Sequence, residues 1–272
     1  MGKTNSSFSL TKLLATLTCI FLVIMGSSLI SAAEPNAPLS PAERKMIEAV
    51  EAQNHGWYTS ARSLLDAAEA LDPKVPGLNY QRAIQALGEG HLDEAAALAR
   101  KGIATGQNVG DCHTLLGLMA MQAGDKKAAA EEFQDAIAAN PDRAVAYYNY
   151  SEYLRENARP REAITQLDIA IRKDSKNPTL PLKKRLARLE AGDIQPLSIE
   201  TQKALQQNPP PASWLITAGA IALKSGKIDE AIILLRNART STPPEIFTSL
   251  MADPFFRIYS REPALKEFYP FP

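Results

Sequence analysis

Few side chains of this chain could support catalysis or metal binding. They are three histidines, Cys112 and their acidic neighbours. His55, His91 and His113 are the only histidines, and His113 ends the tripeptide Asp111-Cys112-His113. Carboxylate, thiolate and imidazole groups all bind transition metals. Adjacent residues of a helix, however, point about 100° apart, so three consecutive side chains chelate one ion poorly. The sequence also has no His-Glu-x-x-His motif, no Gly-x-Ser-x-Gly motif and no phosphate-binding glycine loop. We therefore expect no enzymatic activity and no bound metal or cofactor.

The elements that carry these residues recur with a period of about 34 residues, an interval that marks a repeat architecture. Ala129 lies midway between Ala95 and Ala163, and the register continues in both directions. One position is small in every unit but the fifth: Ala61, Ala95, Ala129, Ala163, Leu197 and Ala231. A second small position follows later in each unit: Ala68, Gly102, Ala136, Ala170, Ala204 and Ala238. A turn residue precedes the first small position: Gly56, Gly90, Gly124, Ala158, Gly192 and Gly226. The period defines six units: 42–75, 76–109, 110–143, 144–177, 178–211 and 212–245.

Each unit reads as two short antiparallel helices joined by a tight turn. A glycine after the first helix supplies a left-handed cap. Proline ends the second helix in four units, at Pro73, Pro141, Pro209 and Pro243, because it cannot donate a hydrogen bond and clashes with the preceding turn. The small residues allow the two helix axes to approach closely. One pair cannot bury its apolar face alone, so neighbouring pairs must stack.

The stretch LLGLMAMQAGDKKAAAEEFQDAIAANP, which ends at Pro141, resembles the tetratricopeptide repeat (TPR) family. Its matching positions are Leu116, Gly117, Gly124, Ala129, Phe133, Ala136 and Pro141. The resemblance implies an all-α fold: an α-solenoid of about six helix-turn-helix repeats plus a C-terminal capping segment. It is weakest in the fifth unit, where Lys184, Arg185 and Arg188 occupy positions that the family keeps apolar or small. We expect the first helix of that unit to be rotated or frayed.

The resemblance also implies a concave groove lined by positions 2, 5, 9, 12 and 13 of each first helix. Its predicted lining, the partner-binding groove, is Met46, Val50, Tyr80, Ile84, Leu87, Leu118, Met121, Val145, Tyr148, Leu182, Leu186, Leu189, Ile216 and Leu223. The lining is apolar and lacks the Lys, Asn and Arg clamp with which one TPR subgroup holds a terminal carboxylate. It predicts a groove for an apolar or amphipathic protein or peptide segment. The alternative is that neighbouring helices already bury half of these residues.

Two further surfaces stand out in the sequence. A basic cluster has only Asp174 as a local acid: Arg172, Lys173, Lys176, Lys183, Lys184, Arg185 and Arg188. It is either a site for an acidic partner or a solvated face. The segment 246–272 follows the last unit, and the region from Phe247 onward holds seven of the chain's 18 aromatic residues. We predict that this segment caps the open end of the repeats, with an oligomer contact as the alternative.

The extreme N-terminus departs from the repeat pattern. Its opening stretch carries Lys3 and Lys12 and no acid, and an uninterrupted run without charge follows from Leu13 to Ile30. Ser31 and Ala33 are the small residues that a signal peptidase requires. This order is typical of a secretory signal. We predict a signal peptide over 1–33, cleaved before Glu34.

The residues after the predicted cleavage site limit the remaining possibilities for binding and for location. A proline-rich tether is predicted over 34–41. Cleavage would leave 28 basic and 30 acidic residues, a balance that gives no reason to expect nucleic acid binding. The apolar run is long enough to border on a membrane span, so an uncleaved anchor is the alternative, and membrane contact is then confined to that segment.

These features together predict an exported bacterial scaffold without catalytic activity. We expect it in the periplasm, with secretion or anchoring to the inner membrane as alternatives. Its partner would be a protein or peptide, and its role would lie in cell-envelope assembly or secretion. A function of a different class is also consistent with the sequence: a self-assembling structural subunit joined through its aromatic C-terminal end. Homo-oligomerisation is therefore left open.

Overall fold

The structure is a computed structural model that describes residues 38–269, and these residues form helices and no strand. Six consecutive helix pairs run along the chain: α1 (Pro41–Asn54) and α2 (Tyr58–Leu71), α3 (Leu78–Gly88) and α4 (Leu92–Ala104), α5 (Val109–Ala123) and α6 (Lys126–Ala139), α7 (Ala144–Glu156) and α8 (Pro160–Lys173), α9 (Thr179–Glu190) and α10 (Ile194–Ala204), α11 (Ala212–Lys224) and α12 (Ile228–Thr240). A C-terminal segment follows with α13 (Pro244–Met251), α14 (Pro254–Arg257) and a 3-10 helix (Pro263–Phe268).

The described part of the chain divides into two compact units, residues 38–149 and residues 150–269. Within both units, the first helix of one pair packs on the first helix of the next, as α1 does on α3 and α9 does on α11. This stacking is what a two-helix repeat requires, since a single pair leaves its apolar face open.

The chain before α1 ends in a helix cap. Ser40 accepts a hydrogen bond from the backbone N–H of Glu43, and the Glu43 carboxylate accepts one from the Ser40 N–H. Pro41 is the first helical residue, where its missing N–H costs nothing. The end of the predicted tether therefore belongs to α1. The predicted signal peptide and the first tether residues lie outside the described residues. Within residues 38–269, no helix combines the length and the apolar character needed to cross a membrane.

The turns inside the pairs use the left-handed backbone region. Gly56, Gly90, Gly124, Gly192 and Gly226 all have φ between 72° and 88°. A residue without a Cβ adopts this conformation without steric cost. The fourth pair makes the same turn with Ala158, whose φ is 56°.

The small positions of the repeat are the points of closest helix approach. The first small position is fully buried in all six pairs, including Leu197. A Cβ added to Gly117 would lie 3.0 Å from the ring of Phe133, and one added to Gly219 would lie 2.9 Å from Leu235. A Cβ at either position would be tightly crowded, so Phe133 or Leu235 would have to shift to accommodate it.

The first helix of the fifth pair is regular, so the prediction that it is rotated or frayed was wrong. Helix α9 runs without interruption from Thr179 to Glu190. Its apolar face is buried through Leu180, Leu182, Leu186, Ala187 and Leu189. Arg185, which occupies the position that is small in the other pairs, extends sideways across α11 instead of entering the crossing. The long side chain is accommodated because its charged end finds partners on the next pair.

The C-terminal segment belongs to the core of residues 150–269. Seven of its apolar side chains are buried in one cluster with those of α9 to α12: Phe247, Leu250, Met251, Phe255, Phe256, Leu265 and Phe268. Helix α14 contacts α9, and the 3-10 helix contacts α12. The segment therefore does more than cover the last pair, since it also returns to the first helix of the fifth pair.

Candidate functional site

The candidate binding surface is the inner face, by which we mean the side of each first helix that carries positions 2, 5, 9, 12 and 13. Most of the predicted groove lining is buried by the chain itself: Met46, Tyr80, Ile84, Leu87, Leu118, Leu182, Leu186, Leu189, Ile216 and Leu223. Four predicted residues are half-buried: Val50, Met121, Val145 and Tyr148. For the ten buried residues, the structure therefore supports the alternative, in which these side chains form core contacts.

The four half-buried residues all lie in residues 38–149. Met121 is near the end of α5, and Val145 and Tyr148 are in the first turns of α7. Thr114, also half-buried, turns its hydroxyl back to the carbonyl of Gly110 at 2.9 Å. Leu118, which the sequence predicted to line the groove, is only 6% exposed and belongs to the core. Partly accessible apolar side chains therefore remain on the inner face of this unit.

The tripeptide Asp111-Cys112-His113 sends its three side chains to three different neighbours. Asp111 accepts a hydrogen bond from Arg143 Nη1 at 2.9 Å, and His113 Nδ1 lies 2.7 Å from Glu132 Oε2. Cys112 is fully buried, and burial, with a smaller contribution from Asp111, raises the pKa of its thiol to about 12. Within residues 38–269, no cluster of three potential metal ligands occurs.

The inner face of residues 150–269 is occupied by the C-terminal segment. Leu182, Leu186 and Leu189 on α9, with Ile216 and Leu223 on α11, share one apolar cluster with the rings of Phe255 and Phe256. The aromatic residues that the sequence proposed for self-assembly are thus mostly internal, since Phe247, Phe255, Phe256 and Phe268 are all buried.

A buried cluster of charges holds the segment in place. Both the Arg155 and the Asp253 side chains are 0% exposed. Arg155 donates to both oxygens of Asp253, with Nη2 at 2.5 Å from Oδ1 and Nη1 at 2.9 Å from Oδ2. Lys183 Nζ donates to the same Oδ2 at 2.7 Å. Asp253 Oδ1 also accepts the backbone N–H of Phe255 at 2.9 Å, which caps α14.

Two glutamates complete the cluster. Glu190 accepts hydrogen bonds from Arg155 Nε at 2.8 Å and Nη2 at 2.7 Å. Glu152 accepts from Arg155 Nη1 at 2.8 Å and from Lys183 Nζ at 3.0 Å. Two cations thus face three carboxylates, which satisfies the rule that a buried charge must be paired and hydrogen-bonded.

The ionisation of the cluster follows from burial and from these partners. Burial alone would raise the pKa of Asp253, but the charges of Arg155 and Lys183 outweigh it and hold that pKa well below its ordinary value. Burial dominates at Glu190 and raises its pKa, although Arg155 opposes the shift. Burial would lower the pKa of Arg155, but the carboxylates of Asp253 and Glu152 raise it well above the usual range. The bond between Arg155 and Asp253 is therefore an ion pair at neutral pH.

The sequence contains a signal for this cluster at two positions of the fourth unit. Position 12 is Arg155 in the fourth unit, whereas it is Leu87, Met121, Leu189 and Leu223 in four of the others. Glu152 stands at position 9 where other units place an apolar residue. Charged residues at otherwise apolar positions indicate a special local partner. That partner, Asp253, could not be identified from the pattern because it lies outside the repeats.

The predicted basic cluster is not one exposed surface. Lys183 is buried against Asp253 and Glu152, Lys184 pairs with Asp168 at 2.6 Å, and Arg188 Nε pairs with Asp193 at 2.6 Å. Arg188 also pairs with Glu200 through Nη1 at 2.8 Å. Of the seven cations, only Arg172, Lys173 and Lys176 are exposed. Lys183 and Lys184 pair with acids of other helices, and Arg188 pairs with Asp193, just after its own helix, and with Glu200 on α10.

Arg185 is buried for a different reason. Its Nε donates to Thr217 Oγ1 at 2.8 Å and its Nη2 to the Ser213 carbonyl at 3.3 Å, and its guanidinium lies 4.0 Å above the ring of Trp214. Burial, opposed by the charge of Glu200, lowers the pKa of Arg185 to about 10. The side chain stays cationic at neutral pH and links α9 to α11.

The period, the helix pairs and their close crossings agree with two independent comparisons. A family model described as tetratricopeptide repeat matches residues 114–178. The structure of the pilF protein of Pseudomonas aeruginosa superimposes with a TM-score of 0.57 at 15% identity, over 84% of this chain and 96% of that chain. Residues 114–178 therefore match the tetratricopeptide repeat family, and the described residues share the fold of solved proteins of that kind.

A second solved TPR protein, from Parabacteroides merdae, has a TM-score of 0.58 at 14% identity, over 84% of this chain and 92% of that chain. At such identities the likeness concerns the fold, which is an all-α TPR solenoid. None of the curated proteins matches the chain. TPR folds commonly serve as protein-interaction scaffolds, and TPR proteins are generally non-catalytic.

Proposed function

We propose that this TPR protein is a non-catalytic scaffold that binds a protein or peptide partner on the inner face of residues 38–149. The observation that supports this assignment is the difference between the two units. The chain's own C-terminal segment fills the inner face of residues 150–269, whereas Met121, Val145 and Tyr148 remain half-buried in the other unit. Partly exposed apolar side chains of this kind suit an apolar or amphipathic segment.

The balance of charges supports an amphipathic partner with basic residues. Residues 38–149 contain 15 acidic and ten basic residues, while residues 150–269 contain 14 acidic and 18 basic residues. The net negative charge of residues 38–149 favours a segment of opposite charge and speeds its association.

Site-specific crosslinking in cells tests the location of binding. A photoreactive phenylalanine analogue placed at Tyr148 should crosslink to a partner, because an inner-face residue lies within the interface. The matched control is the same analogue at Leu71, an exposed apolar residue of α2. For the partner so identified, Tyr148→Ala should weaken the affinity by about 2 kcal/mol, or roughly thirtyfold, with unchanged helical content. Crosslinks at Leu71 but none at Tyr148 would contradict the assignment.

The proposed setting is the cell envelope, in assembly or secretion. It is supported by the predicted signal peptide over 1–33. The protein recovered from the periplasm should begin at Glu34, because Ser31 and Ala33 match the small residues that a signal peptidase requires. N-terminal sequencing measures this directly. A sequence that began at Met1 or Gly2 would instead support an uncleaved membrane anchor.

A further inference from the structure

The inner face of residues 150–269 is occupied by the chain's own C-terminal segment, and individual atoms define the contacts that hold it. The Asp253 carboxylate is held by two guanidinium nitrogens of Arg155 and by the ammonium of Lys183. Two and three residues further on, Phe255 and Phe256 enter the apolar cluster of α9 and α11. Arg257 then pairs with Glu156 at 2.5 Å. The inner face thus contacts an acidic side chain first and then, after a turn, two aromatic rings in that order along the segment.

The occupant is a coherent unit with contacts of its own. The Phe255 ring lies 5.8 Å from that of Tyr259, and the Tyr269 hydroxyl donates to the carbonyl of Phe256 at 2.7 Å. Ser241, Thr242 and Pro243 join the segment to α12, and Ser241 and Pro243 are exposed. The segment therefore carries its recognised side chains on a local scaffold that is joined to the repeats by a short linker.

The use of buried charge at this contact needs a reason beyond stability. Apolar side chains of similar volume stabilise a core as well as a buried ion pair or better, because they avoid the desolvation of two ions. The best-attested use of buried ionic groups is to specify which segment binds and in which register. The cluster of Arg155, Lys183 and Asp253 is therefore better explained as a recognition device than as a source of stability.

We propose that the inner face of residues 150–269 is a recognition site for a segment in which an aspartate is followed, at the second and third positions, by aromatic residues. The chain's own Asp253–Phe256 is the resident occupant, and a separate protein that carries such a segment binds by displacing it. This inference rests on the proposed function only in its premise that the scaffold binds protein segments. It concerns the other unit and another class of ligand.

The resident occupant sets the affinity for an external segment. When only a fraction of molecules has the site open, the apparent Kd rises by the inverse of that fraction. Weakening the resident segment without altering Arg155 and Lys183 should therefore tighten the binding of an external peptide. A purely structural role for the segment makes no such prediction.

The probe is a fluorescein-labelled peptide with the sequence of residues 250–262, LMADPFFRIYSRE, titrated with the full mature chain and followed by fluorescence anisotropy. The Asp253→Asn chain keeps both cations and should bind the peptide at least tenfold more tightly than the wild-type chain. A peptide with asparagine in place of the aspartate should bind at least tenfold more weakly. Glu245→Gln, an acid-to-amide change at an exposed position of α13, is the matched control and should behave like wild type.

Two results would overturn the proposal. One is an Asp253→Asn chain that stays helical by circular dichroism yet binds the peptide no better than wild type. The other is a variant that sediments as a dimer without peptide, since the occupant would then be a second copy. If Asp253→Asn does not fold, Arg257→Ala, which removes only the partly exposed pair with Glu156, replaces it with the same expectation. Tyr148→Ala should bind the peptide like wild type, so a failure here is distinguishable from a failure of the proposed function.

Discussion

At the scale of single residues, Ala158 shows how strictly the repeat imposes its turn. Its φ of 56° lies in the left-handed region, where the Cβ of an L-residue meets the neighbouring carbonyl. The other five turns use glycine at this point. Ala158 is exposed, so no side-chain contact offsets its backbone strain. The period therefore specifies the backbone conformation even where the residue type does not suit it.

We predict that Ala158→Gly stabilises the protein by about 1 kcal/mol, because glycine relieves the strain of a left-handed backbone. The free energy of unfolding in urea measures the gain. Ala123→Gly is the control, since Ala123 is an exposed residue in the last turn of α5. It should lose about 0.5–1 kcal/mol, as glycine does in a helix. Equal losses in both variants would show that the turn at Ala158 is unstrained.

At the scale of elements, the fifth pair shows that a helix crossing can be built in two ways. The third pair uses small residues, with Ala129 fully buried where α5 and α6 cross. The fifth pair places Arg185 and Leu197 at the small positions of its two helices and keeps both buried. The guanidinium of Arg185 is satisfied by Thr217, Ser213 and Trp214 of the sixth pair. The crossing thereby gains a lateral link between pairs.

The two kinds of crossing should both be sensitive to substitution, for different reasons. Ala129→Leu inserts volume into a close contact and should cost about 1–3 kcal/mol. The sequence placed Arg185 in the basic cluster, at a position that the family keeps apolar or small. Because Arg185 is only 8% exposed, we now expect a loss of about 2 kcal/mol from its packing, hydrogen bonds and ring contact. Urea unfolding measures both variants.

A matched control is available on the preceding second helix. Arg172 is exposed on α8, and Arg172→Ala should stay within about 0.5 kcal/mol of wild type. If Arg185→Ala were as mild as Arg172→Ala, the stack on Trp214 would contribute nothing to stability, and the lateral link would have to be abandoned.

At the scale of the molecule, the C-terminal segment connects distant parts of the chain through Asp253. The bond from Arg155 to Asp253 spans 98 residues of sequence, and the bond from Lys183 spans 70. Removing one member of a buried ion pair leaves the other members without their partner. We therefore expect Asp253→Asn to cost about 3 kcal/mol at pH 7, although the amide retains the cap of α14.

The cost of Asp253→Asn should depend on pH with a defined sign. The folded-state pKa of Asp253 is depressed, so the stability it contributes is fully present above its unfolded value of about 3.9 and is lost as the pH falls towards the folded pKa. The difference in unfolding free energy between wild type and Asp253→Asn should be constant from pH 7 to pH 5 and should shrink below about pH 4. Urea titrations at pH 7, 5 and 3 measure it. A difference that grew on acidification would mean that Asp253 is not an ionised partner of Arg155.

The division between what the sequence determined and what the tertiary structure decided follows the range of the interactions. The helix pairs, their turns and their close crossings were predictable, because a glycine in the left-handed region or an alanine at a crossing acts within one unit of the repeat. The family resemblance followed from the same local pattern. The choice between open and buried groove residues was not predictable in this way. Leu118 and Tyr148 both occupy inner-face positions, yet Leu118 is buried and Tyr148 is half-buried.

The C-terminal contacts lay further beyond the reach of the pattern. Arg155 belonged to no predicted site, Lys183 was assigned to the basic cluster, and Asp253 lay in the predicted capping segment. Each side chain has an ordinary role when read alone. Only the folded chain brings the carboxylate within hydrogen-bonding distance of both cations and removes water from around them. Periodic local sequence therefore determined the repeats, whereas the pairing of charges far apart in the chain decided that the inner face of residues 150–269 is closed.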